Sequence, residues 1–302
     1  MRILLGTAAG MLEAGPGRDP VALAGHDVGA LAPAAGGGWW AVANGTELWH
    51  VTGGEERAPA TAPEGVRIHC LMDGPAGVLV GATEAGLFRL VGEELAPVPS
   101  FDSTPGRDTW STPWGGPPDV RSMAAGPDVV VYVNVHVGGI PRTADGGATW
   151  QPTIEVDADV HQVIAHPDRV GTVLAACAYG LAVSRDGGRT WTIDDAGLHA
   201  SYARAVAVAG DHVLLTASTG PRTRQAAIYR RPLDSDGPFE RCTDGLPEWF
   251  DANLDTHRLA SDGPTVVLAA PDDALYRSGD AGTTWERTDD GFPPVRCVVI
   301  EP

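Results

Sequence analysis

Residues 184–191 read SRDGGRTW, and this octapeptide decides how the rest of the chain is read. It has two near-copies, TADGGATW at 143–150 and SGDAGTTW at 278–285. Each copy sets a hydroxyl residue two positions before an aspartate, a glycine two positions after it, and a Thr-Trp pair at its end. This is turn chemistry. The aspartate can accept backbone N–H groups, the glycine can take positive φ, and the tryptophan offers a large apolar body for packing. Asp145, Asp186 and Asp280 are spaced by 41 and 94 residues, the second interval being about two units of 47. DSDGPF at 234–239 stands where the missing copy belongs.

A period in the forties with four strands per unit predicts a β-propeller. Glycine (39) and proline (25) punctuate short runs of Val, Ile, Leu, Ala and Tyr, and no stretch has helical periodicity, so the chain reads as all-β. Seven runs occupy the same place in the repeat: RILLGTA, WWAVANG, VLVGATE, VVVYVNV, TVLAACAYG, VLLTAST and TVVLAAP. The expectation is one seven-bladed propeller domain over residues 1–302. It closes by pairing the strand that begins at Arg2 with the strand at 295–301 in a single blade, which leaves no free sheet edge.

A second, weaker repeat lies in the strand before each of these runs. HDVGALA, HCLMDG, RSMAAG, HQVIAH, RAVAVA, HRLASD and RCVVIE each open on a basic residue with an apolar residue two places on. The opening residues are His26, His69, Arg121, His161, Arg204, His257 and Arg296. Their intervals are 43, 52, 40, 43, 53 and 39 residues, so two units carry an insertion. Both insertions, SFDSTPGRDTWSTPWGGPPD (100–119) and GLPEWFDANLD (245–255), precede such a strand. They are expected to bring Trp110, Trp114, Trp249 and Phe250 to the mouth of a central channel. Asp119, Asp159 and Asp255 stand two residues before Arg121, His161 and His257, while Tyr202 precedes Arg204. A carboxylate beside an imidazole fixes its tautomer and raises its basicity, as in metal and acid–base sites. His136, ending the run VVVYVNV, is expected to reach the same face with Asn134 behind it.

The pattern Ser/Thr-x-Asp-x-Gly-x-Thr-Trp resembles the BNR or Asp-box repeat of sialidases and many other propellers. The resemblance implies that each box is a hairpin between the third and fourth strands of a blade, away from any active site. Its aspartate and tryptophan would then hold the blades together. It does not imply a true sialidase. Those enzymes have six blades, an Arg-Ile-Pro motif and a Tyr/Glu pair beside an arginine triad. This chain has seven units, no Arg-Ile-Pro and no such pair; Arg121, Arg204 and Arg296 would be the sole counterpart of the triad. The layout is more similar to bacterial BNR, WD40 or YVTN-like repeat propellers, and distantly to seven-bladed photosystem assembly factors, some of which bind partners and catalyse nothing.

Composition narrows the function classes. A formal charge of −18 argues against nucleic acid or an anionic membrane as partner. All 21 basic residues are arginine, which removes Schiff-base chemistry, a lysine base and the P-loop lysine. The four cysteines show no metal-like spacing and suit a reduced, cytoplasmic setting. GxSxG, HExxH and EF-hand patterns are absent from the sequence. Three readings of the basic positions stay open. They tie off strand ends by bonding to aspartates of the next blade. Or they line a pocket for a small anionic molecule, with Arg121, Arg204, Arg296, His26, His136, Tyr202, Trp110, Trp114 and Trp249 as binding residues. His161, His257 and His69 would there act as acid–base groups, with Asp159 and Asp255 orienting the first two. Or His26, His69, His161 and His257 hold Fe, Cu, Zn or Mn, as four inner-strand histidines hold iron in carotenoid-cleaving propellers. The alternatives from other classes are a non-catalytic protein-interaction scaffold and a BNR-type glycoside hydrolase. The chain is expected to be a monomer.

Overall fold

The computed structural model describes residues 1–289 and 291–301; Asp290 and Pro302, at the end of the expected single domain, lie outside the described residues. Among the described residues there are seven antiparallel sheets, six of them meanders in which sequence neighbours pair. We call them blades 1–7, with first strands Val28–Pro33, Ile68–Gly74, Val120–Ala125, Val160–Ala165, Tyr202–Ala209, Leu259–Asp262 and Val295–Glu301. Blade 7 joins the two ends of the chain. Val295–Glu301 pairs with Arg2–Thr7, in register from Arg2↔Glu301 to Gly6↔Cys297, and Arg2–Thr7 pairs in turn with Gly10–Glu13. The fold is a seven-bladed β-propeller. No helix among the described residues is long and apolar enough to cross a membrane.

Contacts divide the chain into two compact units, residues 1–25, 176–182 and 193–302, and residues 26–175 and 183–192. In the second unit the first strands of blades 1 to 4 pack in succession. Strand Val131–Val135 (VYVNV) is buried along its whole length, as its β-branched and aromatic run dictates. Val131, Val133 and Val135 enter a core with Phe101, Trp110 and Trp150. Phe101 meets Trp150 edge-on with centroids 5.0 Å apart. In the first unit, the first strands of blades 5, 6 and 7 pack in succession, with Phe250, Tyr276 and Trp285 in the core of blades 5 and 6. Each such buried side chain contributes about 1.5–3 kcal/mol by its removal from water.

The three octapeptides share one geometry. In each, the leading hydroxyl accepts the N–H of the glycine common to all three copies, four residues on: Gly147 to Thr143 at 2.9 Å, Gly188 to Ser184 at 2.7 Å and Gly282 to Ser278 at 2.9 Å. One aspartate oxygen takes the hydroxyl proton and the backbone N–H of the final threonine, while the other takes that threonine's hydroxyl. The residue after the aspartate is in the left-handed region, Gly146 at φ 73, Gly187 at φ 76 and Ala281 at φ 55. These bonds favour the ionised carboxylate. The backbone and side chain of Thr190, and those of Thr284, hold Asp186 and Asp280 at about 2. Asp145 is likewise held low, chiefly by the Thr149 hydroxyl. Trp150 and Trp285 are buried, whereas Trp191 is half-buried.

Candidate functional site

The basic positions acquire a local reason in the structure. Four first strands begin with one extra residue opposite their partner strand, a β-bulge. The extra residue is Gly29 in blade 1, His69 in blade 2, Arg121 in blade 3 and Arg296 in blade 7. In blade 5, Arg204 and Ala205 together span the bulge. A bulge twists the strand and re-aims the side chain it carries, and bulges gather next to functional sites. This geometry corrects the register at two of the seven positions. His26 lies two residues before its strand, and Gly29 holds the place equivalent to Arg121. His257 also lies two residues before its strand, at φ 70, where its carbonyl accepts the N–H of Val298 at 2.8 Å.

Aspartates that open one blade reach a basic residue of the blade before. His69 Nε2 stands 3.6 Å from Asp119 Oδ2, His136 Nε2 stands 3.0 Å from Asp159 Oδ1, and Arg204 Nη2 stands 2.6 Å from Asp255 Oδ1. The Asp255 carboxylate, expected to orient His257, also pairs with Arg204. The Arg204 guanidinium also donates to the Tyr202 hydroxyl at 3.3 Å. His26 is engaged locally, with Nδ1 3.0 Å from Asn44 Nδ2, 3.6 Å from Glu47 Oε2, and the ring edge-on to Trp49. Arg296 is exposed on its bulge.

Blades 3 and 4 bring together what the sequence left scattered. His136 follows the end of strand Val131–Val135, anchored by its N–H to the carbonyl of Asp119 at 2.9 Å. Asp159 follows a short 3-10 turn, Val156–Ala158, and sits at φ 50, a conformation aspartate tolerates better than most side chains. His161 is the second residue of strand Val160–Ala165. The Nε2 atoms of both histidines face the same oxygen, Asp159 Oδ1, at 3.0 and 3.8 Å. The imidazoles are 4% and 1% exposed, the carboxylate 28%. Burial alone would push the Asp159 carboxyl up. The hydrogen bond from His136 and the charges of His161, His136 and Arg121 outweigh that and hold it below its ordinary value. Arg121 also acts on His69: burial chiefly lowers His69, Asp119 opposes this, and Arg121 and Arg67 add to it. The result is a polar patch in one unit, comprising His69, Asp119, Arg121, His136, Asp159 and His161. Trp114 is 71% exposed and lies over His136, with ring centroids 5.6 Å apart.

The other loop aromatics divide between roles. Trp110 is 7% exposed and packs against Phe101 in the core, with the Arg107 guanidinium 5.0 Å above its ring. It is a core residue and forms no part of an open mouth. Phe250 is buried likewise. Trp249 is half-buried between His199, at 4.6 Å, and the Arg241 guanidinium, at 3.8 Å. Asn134 is the residue that the sequence sets behind His136. It pairs with Ser122, is fully buried, and has neither amide atom hydrogen-bonded. The signal was an Asn and a His two places apart on one face of an otherwise apolar run.

No protein-family profile and no curated protein matches the chain. Solved structures do, at low identity. YCF48 bound to D1 peptide superposes with a TM-score of 0.63 at 15% identity, over 91% of this chain and 88% of that one. Virginiamycin B lyase from Staphylococcus aureus gives 0.59 at 15%, over 88% and 83%. A GH74 enzyme of Niastella koreensis gives 0.61 at 12%, over 85% of this chain. The chain spans less than half the length of the GH74 enzymes it matches, 44% of that one and 24% of an ancestral one. At these identities the likeness is one of fold, the β-propeller, shared by enzymes and by a peptide-binding protein.

Proposed function

We propose that this propeller binds a small anionic molecule on the face of blades 3 and 4, between Arg121, the buried His136–Asp159–His161 group and the exposed ring of Trp114. The observation that carries this reading is the pair of imidazoles, 4% and 1% exposed, turned on one partly open carboxylate beneath an exposed tryptophan. Burying such groups costs stability, and perturbed polar clusters of this kind gather where ligands are held. Arg121 supplies a fork for a carboxylate or phosphate, and Trp114 an apolar platform for the rest of the ligand. With His136 and His161 beside it, a bound molecule is in reach of acid–base groups. The octapeptide hairpins are read as BNR-type repeats with a scaffold role, and the four buried thiols suit a reducing, cytoplasmic setting.

The test is calorimetric titration of the wild type and two variants with acetate, succinate, citrate, inorganic phosphate and a sugar phosphate. A ligand with a Kd below about 1 mM, weakened at least about tenfold in Arg121→Ala and unchanged in Arg57→Ala, supports the pocket. Silence across the panel removes it. A second reading, favoured by the exposure of Trp114 and the fold shared with peptide-bound YCF48, makes the same face a docking site for an extended peptide. It predicts that Trp114→Ala abolishes capture of a peptide from a displayed library. A nitrophenyl glycoside panel disposes of the glycosidase alternative if no hydrolysis is seen.

A further inference from the structure

His136, His161 and Asp159 each offer one ligand atom, and these three atoms all lie within 4.8 Å of one another. A transition ion held about 2.1 Å from each ligand would set the ligand atoms about 3.0 Å apart at octahedral angles and about 3.4 Å apart at tetrahedral ones. The observed edges to Asp159, 3.0 and 3.8 Å, bracket that triangle, so small side-chain rotations close it. The donors are two nitrogens and one oxygen, and both nitrogens are Nε2. Burial shields the imidazoles, while the carboxylate edge is 28% exposed and leaves room for further ligands. His26 with Glu47 and His69 with Asp119 offer only two donors each, and no second group of three occurs among the described residues.

We propose that His136, Asp159 and His161 hold one divalent transition-metal ion, of the Zn2+, Fe2+ or Mn2+ class, with open positions on the side of Asp159. Two imidazoles and a carboxylate with open sites form the donor set of catalytic rather than closed structural centres. This centre replaces the expected four-histidine set, of which His161 alone belongs to it. Asn134 gives an independent sign. It stands two residues before His136, on the same face of its strand, fully buried with both amide atoms unsatisfied. A buried amide in that condition needs a polar partner, and a ligand carried on the ion would supply one. Arg121 acts on the Asp159 charge and raises the cost of a bare dication; an anion bound beside the ion offsets it. For that last step alone the proposal rests on the anion pocket.

The experiment titrates chelator-stripped full-length protein with Co2+, read by its visible absorption, and with Zn2+, read by competition. The expected result is one equivalent bound with Kd below about 10 µM. His161→Gln and His136→Asn weaken binding about 100-fold or more, while His69→Gln leaves it unchanged. Circular dichroism confirms that each variant is folded. No Co2+ spectrum in the wild type at 0.2 mM ion, or binding retained in the His136→Asn/His161→Gln double variant, overturns the proposal. Running the anion panel on stripped and loaded protein separates the two claims. Anion binding without metal binding sinks the metal centre alone, and metal binding without any anion sinks the pocket alone.

Discussion

The hydroxyl that opens each octapeptide should matter equally three times over. Ser184 is 1% exposed, and its Oγ accepts the Gly188 N–H at 2.7 Å and donates to Asp186 at 2.9 Å. Replacing it by alanine leaves a buried N–H without its acceptor and a carboxylate short of one donor. The first loss costs about 1–3 kcal/mol, and we take about 2. At about 2 °C per kcal/mol for a chain of this size, Ser184→Ala should melt about 4 °C lower at pH 7. Ser278→Ala and Thr143→Val, the latter keeping the methyl volume, should match it, since their hydroxyls receive Gly282 and Gly147 at 2.9 Å. The pH dependence has a definite sign. Asp186 is held at about 2 in the folded chain, so its contribution is fully present above the ordinary carboxylate value. It fades as pH falls from about 4 through about 2. Removing a donor raises the folded value, so the gap between wild type and Ser184→Ala should shrink over that interval. The assay is differential scanning calorimetry from pH 7 to pH 2.5. A variant within 1 °C of wild type at pH 7, or a gap that widens in acid, would refute the reasoning.

Other outcomes follow from single contacts. Ala281 sits at φ 55 where its two counterparts are glycines, so Ala281→Gly should raise stability by about 0.5–1 kcal/mol in urea titration. Burial pushes the Cys70 thiol to about 12 and the Cys242 thiol to about 11, and all four cysteines are buried. A chromogenic disulfide should therefore find no reactive thiol in native protein at pH 8 and four after denaturation. His69 is lowered, chiefly by burial, so it binds its proton more readily in the unfolded chain. Stability then falls as pH drops through the ordinary histidine value, and His69→Gln should flatten the wild-type loss between pH 7 and pH 5. Trp114→Ala should leave the melting temperature within about 1 °C, because the ring is 71% exposed.

The fold was legible because its punctuation repeats. Three octapeptides and seven strand runs fixed the blade number, and the pairing of Arg2–Thr7 with Val295–Glu301 followed from the need to leave no open edge. The site was legible only in part. His161, Asp159 and Arg121 were singled out by their place at the head of first strands, and the structure puts them within one another's electrostatic reach. His26 and His257 were grouped with them because a bulge adds a residue without changing hydrophobic spacing, so the register slips unseen by one to three places. Trp110 and Trp114 stand four residues apart in one loop. One enters the core with Phe101 and the other covers His136, a division that depends on tertiary packing. The Asp-to-basic pairs between neighbouring blades escaped a reading along single strands, since they join residues far apart in the chain, such as His69 with Asp119 and His136 with Asp159.

The central claim is that His136 and His161 share the Asp159 carboxylate, and long-range 1H–15N imidazole correlation on stripped protein, wild type against Asp159→Asn, tests it most directly. The account predicts that the ring nitrogens of both His136 and His161 shift in the variant while those of His50 and His212 stay in place. If only one of the two responds, or neither does, the cluster is not a single site and the functional reading built on it falls.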